Sequence, residues 1–444
     1  MRVPHRAKTK NVIAGAKAPA RATSAIKLAV TGGVTGGSEL VNDSNSLTAR
    51  AQGAVTANST NLNIGGTLSS GTAGVVGIAN GAVIANLQTI DAGANVEADI
   101  GTTVGTADLI ATSVGGALTA SSLSTSANRI QAFADGANAT NNLAVSATTI
   151  SAVAEVTGAP NVGTTAAGAT STADTAFAVA NAQISGTGTV TAKIDEPATI
   201  SSLVTGATSG SNVSLNGNVI DAFGVSNKAT NGLSLTGTTI ATDAGVLNVQ
   251  SSDAQVASTI GRGADATNAA SLADAGVVAD FNANVSGSAI AVNSNVTRGS
   301  AIGNVGNNSL AVSATTLSGG GTEVKAAAVG SVDGIATATG DFSLANSQSL
   351  LDASSSTTNV AAAYGIDVGL ITGAATTNSR LSVSSNNQFA EALGNSGTNR
   401  ITLTATGAGV ATGVDPTAAL SNVQDGNAAE IGRASCRERV SSPV

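Results

Sequence analysis

Short runs in which apolar and polar residues alternate recur along this chain. The pairs Leu123/Thr125, Val213/Leu215, Ile290/Val292 and Leu381/Val383 each precede an Asn, and Leu143-Ala-Val145, Leu233-Ser-Leu235, Leu310-Ala-Val312 and Ile401-Thr-Leu403 each follow one. Strict alternation over roughly 4–8 positions predicts strands with one buried face. Helix is disfavoured, because 53 Gly and abundant Ser, Thr and Asn compete with a helical backbone. Away from the ends the only prolines are Pro160, Pro197 and Pro416, as suits a chain whose N–H groups are needed in ladders.

The alternating runs belong to a longer repeat. Five segments align on an Asn: Asn45 to Gly53, Asn128 to Gly136, Asn218 to Ser226, Asn295 to Gly303 and Asn386 to Gly394. Ala or Gly stands four and six positions after the Asn, and Gly usually stands eight after it. Two copies continue into nearly one string, Leu143 to Ile150 and Leu310 to Leu317. Leu123 to Leu143, Val213 to Leu233, Ile290 to Leu310 and Leu381 to Ile401 are each 20 residues apart, and Leu40 to Leu62 is 22. Phe342, Val360, Leu381, Ile401 and Leu420 continue the beat at 18, 21, 20 and 19, while the Asn positions recur at 83, 90, 77 and 91.

A period near 20 predicts an all-β, elongated parallel β-solenoid, each coil burying its apolar face against the next. About 20 coils at roughly 4.8 Å each would make a rod about 95 Å long. The alternative fold is a series of tandem β-sandwiches, one per repeat. In the solenoid, Gly53, Gly136, Gly303 and Gly394 suit corners of positive φ. Asn45, Asn128, Asn218, Asn295 and Asn386 serve either as plain turn residues or as stacked amides.

Composition sharpens this picture. Trp is absent, aromatic residues are 2% and charged residues 10%, so a large conventional core is excluded. A narrow lumen of Ala, Val, Ile and Leu, with Phe133 and Phe223 at one repeat position, fits better. A mean hydropathy of +0.23 argues against charge-driven disorder.

The two ends differ from the body. Residues 1–30 hold seven basic residues and no acid, and 1–38 is expected to be a basic, disordered leader. Residues 430–440 carry five charges and read like the translation of a short-read sequencing adapter, so 430–444 is set apart as an artefactual tail. The solenoid is assigned to 39–429. The stretch 31–429 has nine basic and 25 acidic residues, a formal charge of −16, which argues against nucleic acid or an anionic membrane as partner. Its lack of Cys leaves no disulfide to staple it.

Catalytic chemistry finds few residues. The single His5 and single Cys436 lie in the end segments, and no phosphate-binding Gly-x4-Gly-Lys-Ser/Thr loop occurs. The acids of Asp91 to Asp99 match no calcium-loop spacing, and Asp195-Glu196 beside Pro197 reads as a loop. Val75 to Leu87 is apolar, but its Asn and Gly argue against a membrane helix. The reading is of a chain with no catalytic, metal or cofactor site, no cofactor and no transmembrane segment.

In coil length, Gly/Ala/Asn/Ser/Thr richness, near absence of Cys and Trp, and acidity, residues 40–429 resemble the β-solenoid shafts of large bacterial secreted adhesins, the filamentous-haemagglutinin-like group. A fainter likeness to curlin-type amyloid repeats rests on Gly303-Asn304 and Gly394-Asn395 and departs from that family's recurrent Gln. The first resemblance implies a structural repeat protein of the bacterial cell surface or exterior: an adhesin stalk, matrix or fibre component. Its implied partners are host-surface or matrix glycans or proteins, or further copies of itself. A carbohydrate-binding or carbohydrate-cleaving β-helix, such as part of a phage tail spike, and a functional amyloid are the alternatives.

Overall fold

The computed structural model describes residues 6–13, 17–23, 25–69, 81–101, 109–151, 156–157, 171–195, 199–261, 275–319, 323–327, 335–369, 374–406, 416–426 and 435–436. The regular elements among them are all strands. The chain winds as a parallel solenoid, and each turn contributes one strand to each of six stacked sheets. In the second coil these are Ala82–Ile90 in sheet A, Asn95–Ile100 in sheet B and Ile110–Val114 in sheet C. Leu118–Thr119 in sheet D, Ser122–Ser124 in sheet E and the long Arg129–Ser151 in sheet F complete the turn. Sheets A and B hold six strands, and sheets C to F five.

The coil is therefore not 20 residues long. Leu123 pairs with Leu40 below and Val213 above, and Asn141 pairs with Asn58 and Asn231. One turn is the whole repeat of 83, 90, 77 or 91 residues between stacked Asn positions. The 20-residue beat runs around a single coil. Leu123 lies on sheet E and Leu143 on sheet F of the same turn, both facing inward. Phe342, Val360, Leu381, Ile401 and Leu420 lie in turn on sheets A, B, E, F and again A. The first interval of 22 arises because Thr60 fills the row of Leu143, and Leu62 that of Val145. Five complete turns at about 4.8 Å stand roughly 24 Å tall, in place of a 95 Å rod.

Sheet F and sheets A and B face one another across the lumen. Along Arg129–Ser151 the even positions Ile130, Ala132 and Ala134 point inward; after Gly136 the odd positions Ala137, Ala139, Asn141, Leu143 and Val145 do so. A phase switch in the middle of a strand leaves one residue unpaired against the next coil, and a small residue fits there: Gly in four coils and the buried Ser226 in the third. A Cβ at Gly136 would lie 2.4 Å from the Ser226 carbonyl oxygen of the next coil, and one at Gly53 or Gly303 would lie 2.5 Å from the carbonyl above. None of Gly53, Gly136, Gly303 and Gly394 has positive φ; close approach of coils selects the first three, while at Gly394 a Cβ would meet only the Leu350 side chain. Positive φ falls one residue before each repeated Asn, at Ser44, Ala127, Gly217, Ser294 and Ser385.

The switch divides the interior. Sheets B to E and the first half of F enclose one apolar cluster, including Val96, Ile110, Leu118, Leu123 and Ile130. Sheet A and the second half of F enclose another, including Ile84, Leu143, Val145, Phe177 and Phe342. Sheet A is buried on both faces, because Ala336 and Ala338, from a small antiparallel sheet of connecting strands, join Val83, Ala85 and Leu247 on its outer side. Phe133 and Phe223 are outside the lumen. They sit half-buried on the outer face of F, stacked with centroids 5.6 Å apart.

Within the stretch 1–38, expected as a leader, strands Arg6–Ile13, Lys17–Ala22, Ile26–Val30 and Val34–Thr35 pair with the second coil and belong to the first. Of the tail, Ser435–Cys436 is described and pairs with Asn359–Val360. His5, Glu196 and Pro197 lie outside the described residues. No helix among the described residues is long and apolar enough to cross a membrane.

Close approach at Gly136 predicts that Gly136→Ala lowers stability by about 1–3 kcal/mol, the cost of overpacking. Gly65→Ala, where a Cβ meets nothing within 4 Å, is expected to be neutral or slightly stabilising. Urea unfolding midpoints of the two variants test the pair; equal losses would contradict the packing account.

Candidate functional site: the stacked amide columns

The most distinctive chemistry lies in the lumen between the two apolar clusters. Sheet A carries Asn86, Asn181, Asn248, Asn346 and Asn422 in one register, and Gln88, Gln183, Gln250, Gln348 and Gln424 in another. Sheet F answers with Asn58, Asn141, Asn231, Asn308 and Asn399. The central members of all three rows are 0–3% exposed. A buried primary amide has two donors and an acceptor to satisfy, and stacking it on its own kind supplies them.

The bonding is directional. In the sheet A column Nδ2 of each Asn donates to Oδ1 of the Asn above: Asn86 to Asn181 at 2.7 Å, Asn181 to Asn248 at 2.8 Å, and Asn248 to Asn346 and Asn346 to Asn422 at 2.7 Å. The sheet F column runs the same way, each step 2.8 Å. The second Nδ2 proton crosses the lumen: Asn141 donates to Asn181 and Asn231 to Asn248, each at 3.2 Å, Asn308 to Asn346 at 3.1 Å, and Asn399 to Asn422 at 3.0 Å. The Gln column points the other way. Nε2 of Gln183, Gln250, Gln348 and Gln424 each donates to the Gln below at 2.7–2.8 Å. Gln183, Gln250 and Gln348 also donate to the sheet F carbonyls of Lys228, Val305 and Ser396.

The repeated Asn that the sequence singles out forms a further column, at the corner between sheets E and F. The left-handed residue before it turns the chain. The amide then accepts the backbone N–H of its counterpart below at Oδ1: Asn128 from Asn45, Asn218 from Asn128 and Asn295 from Asn218, each at 2.9 Å, and Asn386 from Asn295 at 3.0 Å. Nδ2 reaches the carbonyl three residues before that counterpart: Asn42 from Asn128, Thr125 from Asn218, Leu215 from Asn295 and Val292 from Asn386. Gly53, Gly136, Gly303 and Gly394 lie remote from this corner, at the phase switch of sheet F.

The Asn-x-Gln tripeptide was missed by reading the sequence around the corner Asn. It stands at 86–88, 181–183, 248–250, 346–348 and 422–424 and takes five of the chain's nine Gln. Aligning the strand that opens each turn reveals it. Its spacing of 95, 67, 98 and 76 is uneven, which hides it from a search at fixed period.

Outside the lumen, charges are dispersed. Among the described residues no three His, Cys, Asp or Glu gather as metal ligands. Asp99 lies 3.4 Å from Arg21; burial, followed by the neighbouring Asp195 carboxylate, raises its carboxyl above the usual aspartate range. Asp221 is buried beneath Arg298, whose guanidinium donates to both carboxylate oxygens at 2.9 and 3.0 Å, and that bond raises the Arg298 pKa. Tyr364 is buried with its hydroxyl donating to Thr297 Oγ1 or the Asn387 carbonyl, at 2.7 and 2.9 Å. Burial pushes its phenol up to about 12.

No protein-family model, curated protein or solved structure matches the chain.

Two outcomes follow. Asn231→Leu orphans its partners in both neighbouring coils and across the lumen, each at about 1–3 kcal/mol, so it is expected to cost several kcal/mol in urea unfolding. Asn307→Leu, on the exposed outer side of the neighbouring strand Val296–Ser318, is expected to cost within about 0.5 kcal/mol. The phenol pKa is raised in the fold, so whatever stability Tyr364 contributes is intact below its ordinary value of 10.0 and falls as pH rises towards about 12. Absorbance titration of the single Tyr should place its ionisation near 12 in the folded chain; titration near 10 while folded would contradict its burial.

Proposed function

We propose that the chain is a structural repeat protein of the cell surface or extracellular space, serving as a stalk, matrix or fibre component. The observation that carries this reading is the run of amide columns along the stacked coils, from the first coil on sheet F and from the second on sheet A. Each turn completes the hydrogen bonding of its neighbours, so load is shared along the axis by side chains as well as by backbone ladders. The outward rows of the second half of sheet F, such as Thr140, Thr230 and Thr398, present small polar groups, a solvated exterior suited to a support.

A glycan-binding role draws less support. Sugar recognition favours open aromatic faces, and Phe133 and Phe223 turn their faces to each other, with the Arg298 guanidinium 5.7 Å from the Phe223 ring. A shallow hollow of about 270 Å³ beside Asn212, Asn293 and Arg380 has no aromatic lining.

Immunogold labelling of intact source cells tests the proposal. Label on the outer surface or in the surrounding matrix is the expected result, and label confined to the cell interior would overturn it. A glycan array run in parallel should stay blank; saturable binding of one glycan class would replace the structural reading with a binding one.

A further inference from the structure

The outer face of the first half of sheet F differs from every other outward row. Elsewhere on F the outward side chains are mostly Ser, Thr, Asn and Ala, whereas here Phe133, Phe223, Val225, Ile302, Leu393 and Phe389 lie together on neighbouring rows of successive coils. Three of the six Phe of the chain are spent on this face, and Phe389 is 46% exposed. An apolar patch of this kind, rimmed by charge, marks an interaction surface.

The rim identifies the partner. The row through Phe223 runs Arg50, Phe133, Phe223, Ser300, Glu391 from the first coil to the fifth. Opposite charges thus stand two coils to either side of a central aromatic. A two-fold axis along the strand direction through the third coil exchanges first with fifth and second with fourth. It brings Arg50, which holds Asp135 of its own copy at 3.1 Å, against Glu391 of the other copy at both ends, sets Gln131 against Arg298, Phe133 against Ser300 and Ile302 against Asp135, and packs Phe223 and Val225 beside their own counterparts. The Asp221 carboxylates, which this symmetry also brings together, are 1% exposed and held by Arg298. The other face-to-face arrangement, with parallel solenoid axes, keeps coils at one level and sets Arg50 near Arg50 and Glu391 near Glu391.

We propose that this face binds a second copy of the chain, packed back to back with its solenoid axis reversed. The inference is independent of the structural role proposed above, since a surface protein and an intracellular one would pair in the same way.

Sedimentation of the full chain over a concentration series tests it. A monomer–dimer equilibrium is expected, with Ile302→Thr and Phe389→Ser each shifting it to monomer while circular dichroism stays that of folded strand. Arg50→Glu and Glu391→Arg should each weaken the dimer by ~10-fold, as the loss of one rim pair at both symmetric positions implies. The double variant should restore it. A chain that stays monomeric at every concentration overturns the proposal, and so does a dimer indifferent to both charge reversals or not restored by their combination.

Discussion

A primary amide buried without partners costs more than most single contacts return, so a chain that places Asn and Gln in its lumen must satisfy nearly all of them; Asn86 Oδ1, at the lower end of its column, and Gln388 Oε1 are exceptions. In this solenoid the groups that do so are the same residues one coil up and one coil down, with the facing Asn or carbonyl of sheet F across the lumen. Asn181 has its bonds only when Asn86, Asn248 and Asn141 stand in register with it. Backbone ladders alone tolerate a slip of one strand past the next, and a buried apolar face forbids a slip of one residue but tolerates one of two, which keeps the same side chains inward. The amide columns tolerate neither, and they fix which coil lies on which and at what register.

The rest of the architecture follows from protecting these columns. Every coil keeps the segment from sheet D to the end of sheet F almost free of insertion, so sheets D, E and F share one offset at each of the last three steps and differ by a single residue at the first. Length varies most between sheets B and C and between sheets F and A, with a four-residue addition between sheets C and D in the fifth coil and changes of one or two residues between sheets A and B. Between sheets F and A the chain spends as little as Thr242-Asp243 or as much as the stretch from Gly319 to Asp341. The glycines at the sheet F phase switch let neighbouring coils approach where a Cβ would meet a carbonyl. The left-handed residue before each corner Asn turns the strand so that the amide points along the stack.

This division explains what was legible in the sequence. The all-β parallel solenoid could be read from alternation, from the Asn repeat and from the shortage of Pro and aromatics. The coil length could not. Leu123 and Leu143 recur at fixed spacing because the corner and the long strand between them are rigid, and that spacing is shorter and more regular than the turn containing it. The corner Asn was visible because Gly follows it eight residues later in four of five copies, yet the two features serve different ends: Asn128 bonds the corner and Gly136 switches the strand. Asn86-Leu-Gln88 and its four counterparts were illegible at a fixed period because the variable connectors lie directly beside them. Phe133 and Phe223 were assigned to the lumen from apolarity alone, although the alternation through Ile130, Ala132 and Ala134 points them outward.

The central claim is that one turn takes 77 to 91 residues, counted between corner Asn residues. Pulsed electron spin resonance between nitroxide labels at Ala57 and Thr398, in a Cys436→Ser background, measures it directly. Both positions face outward on one row of sheet F, four coils apart through Thr140, Thr230 and Asn307. Four steps of about 4.8 Å predict a separation near 20 Å. A distance near 80 Å, as coils of about 20 residues would give at the same rise, would contradict the account.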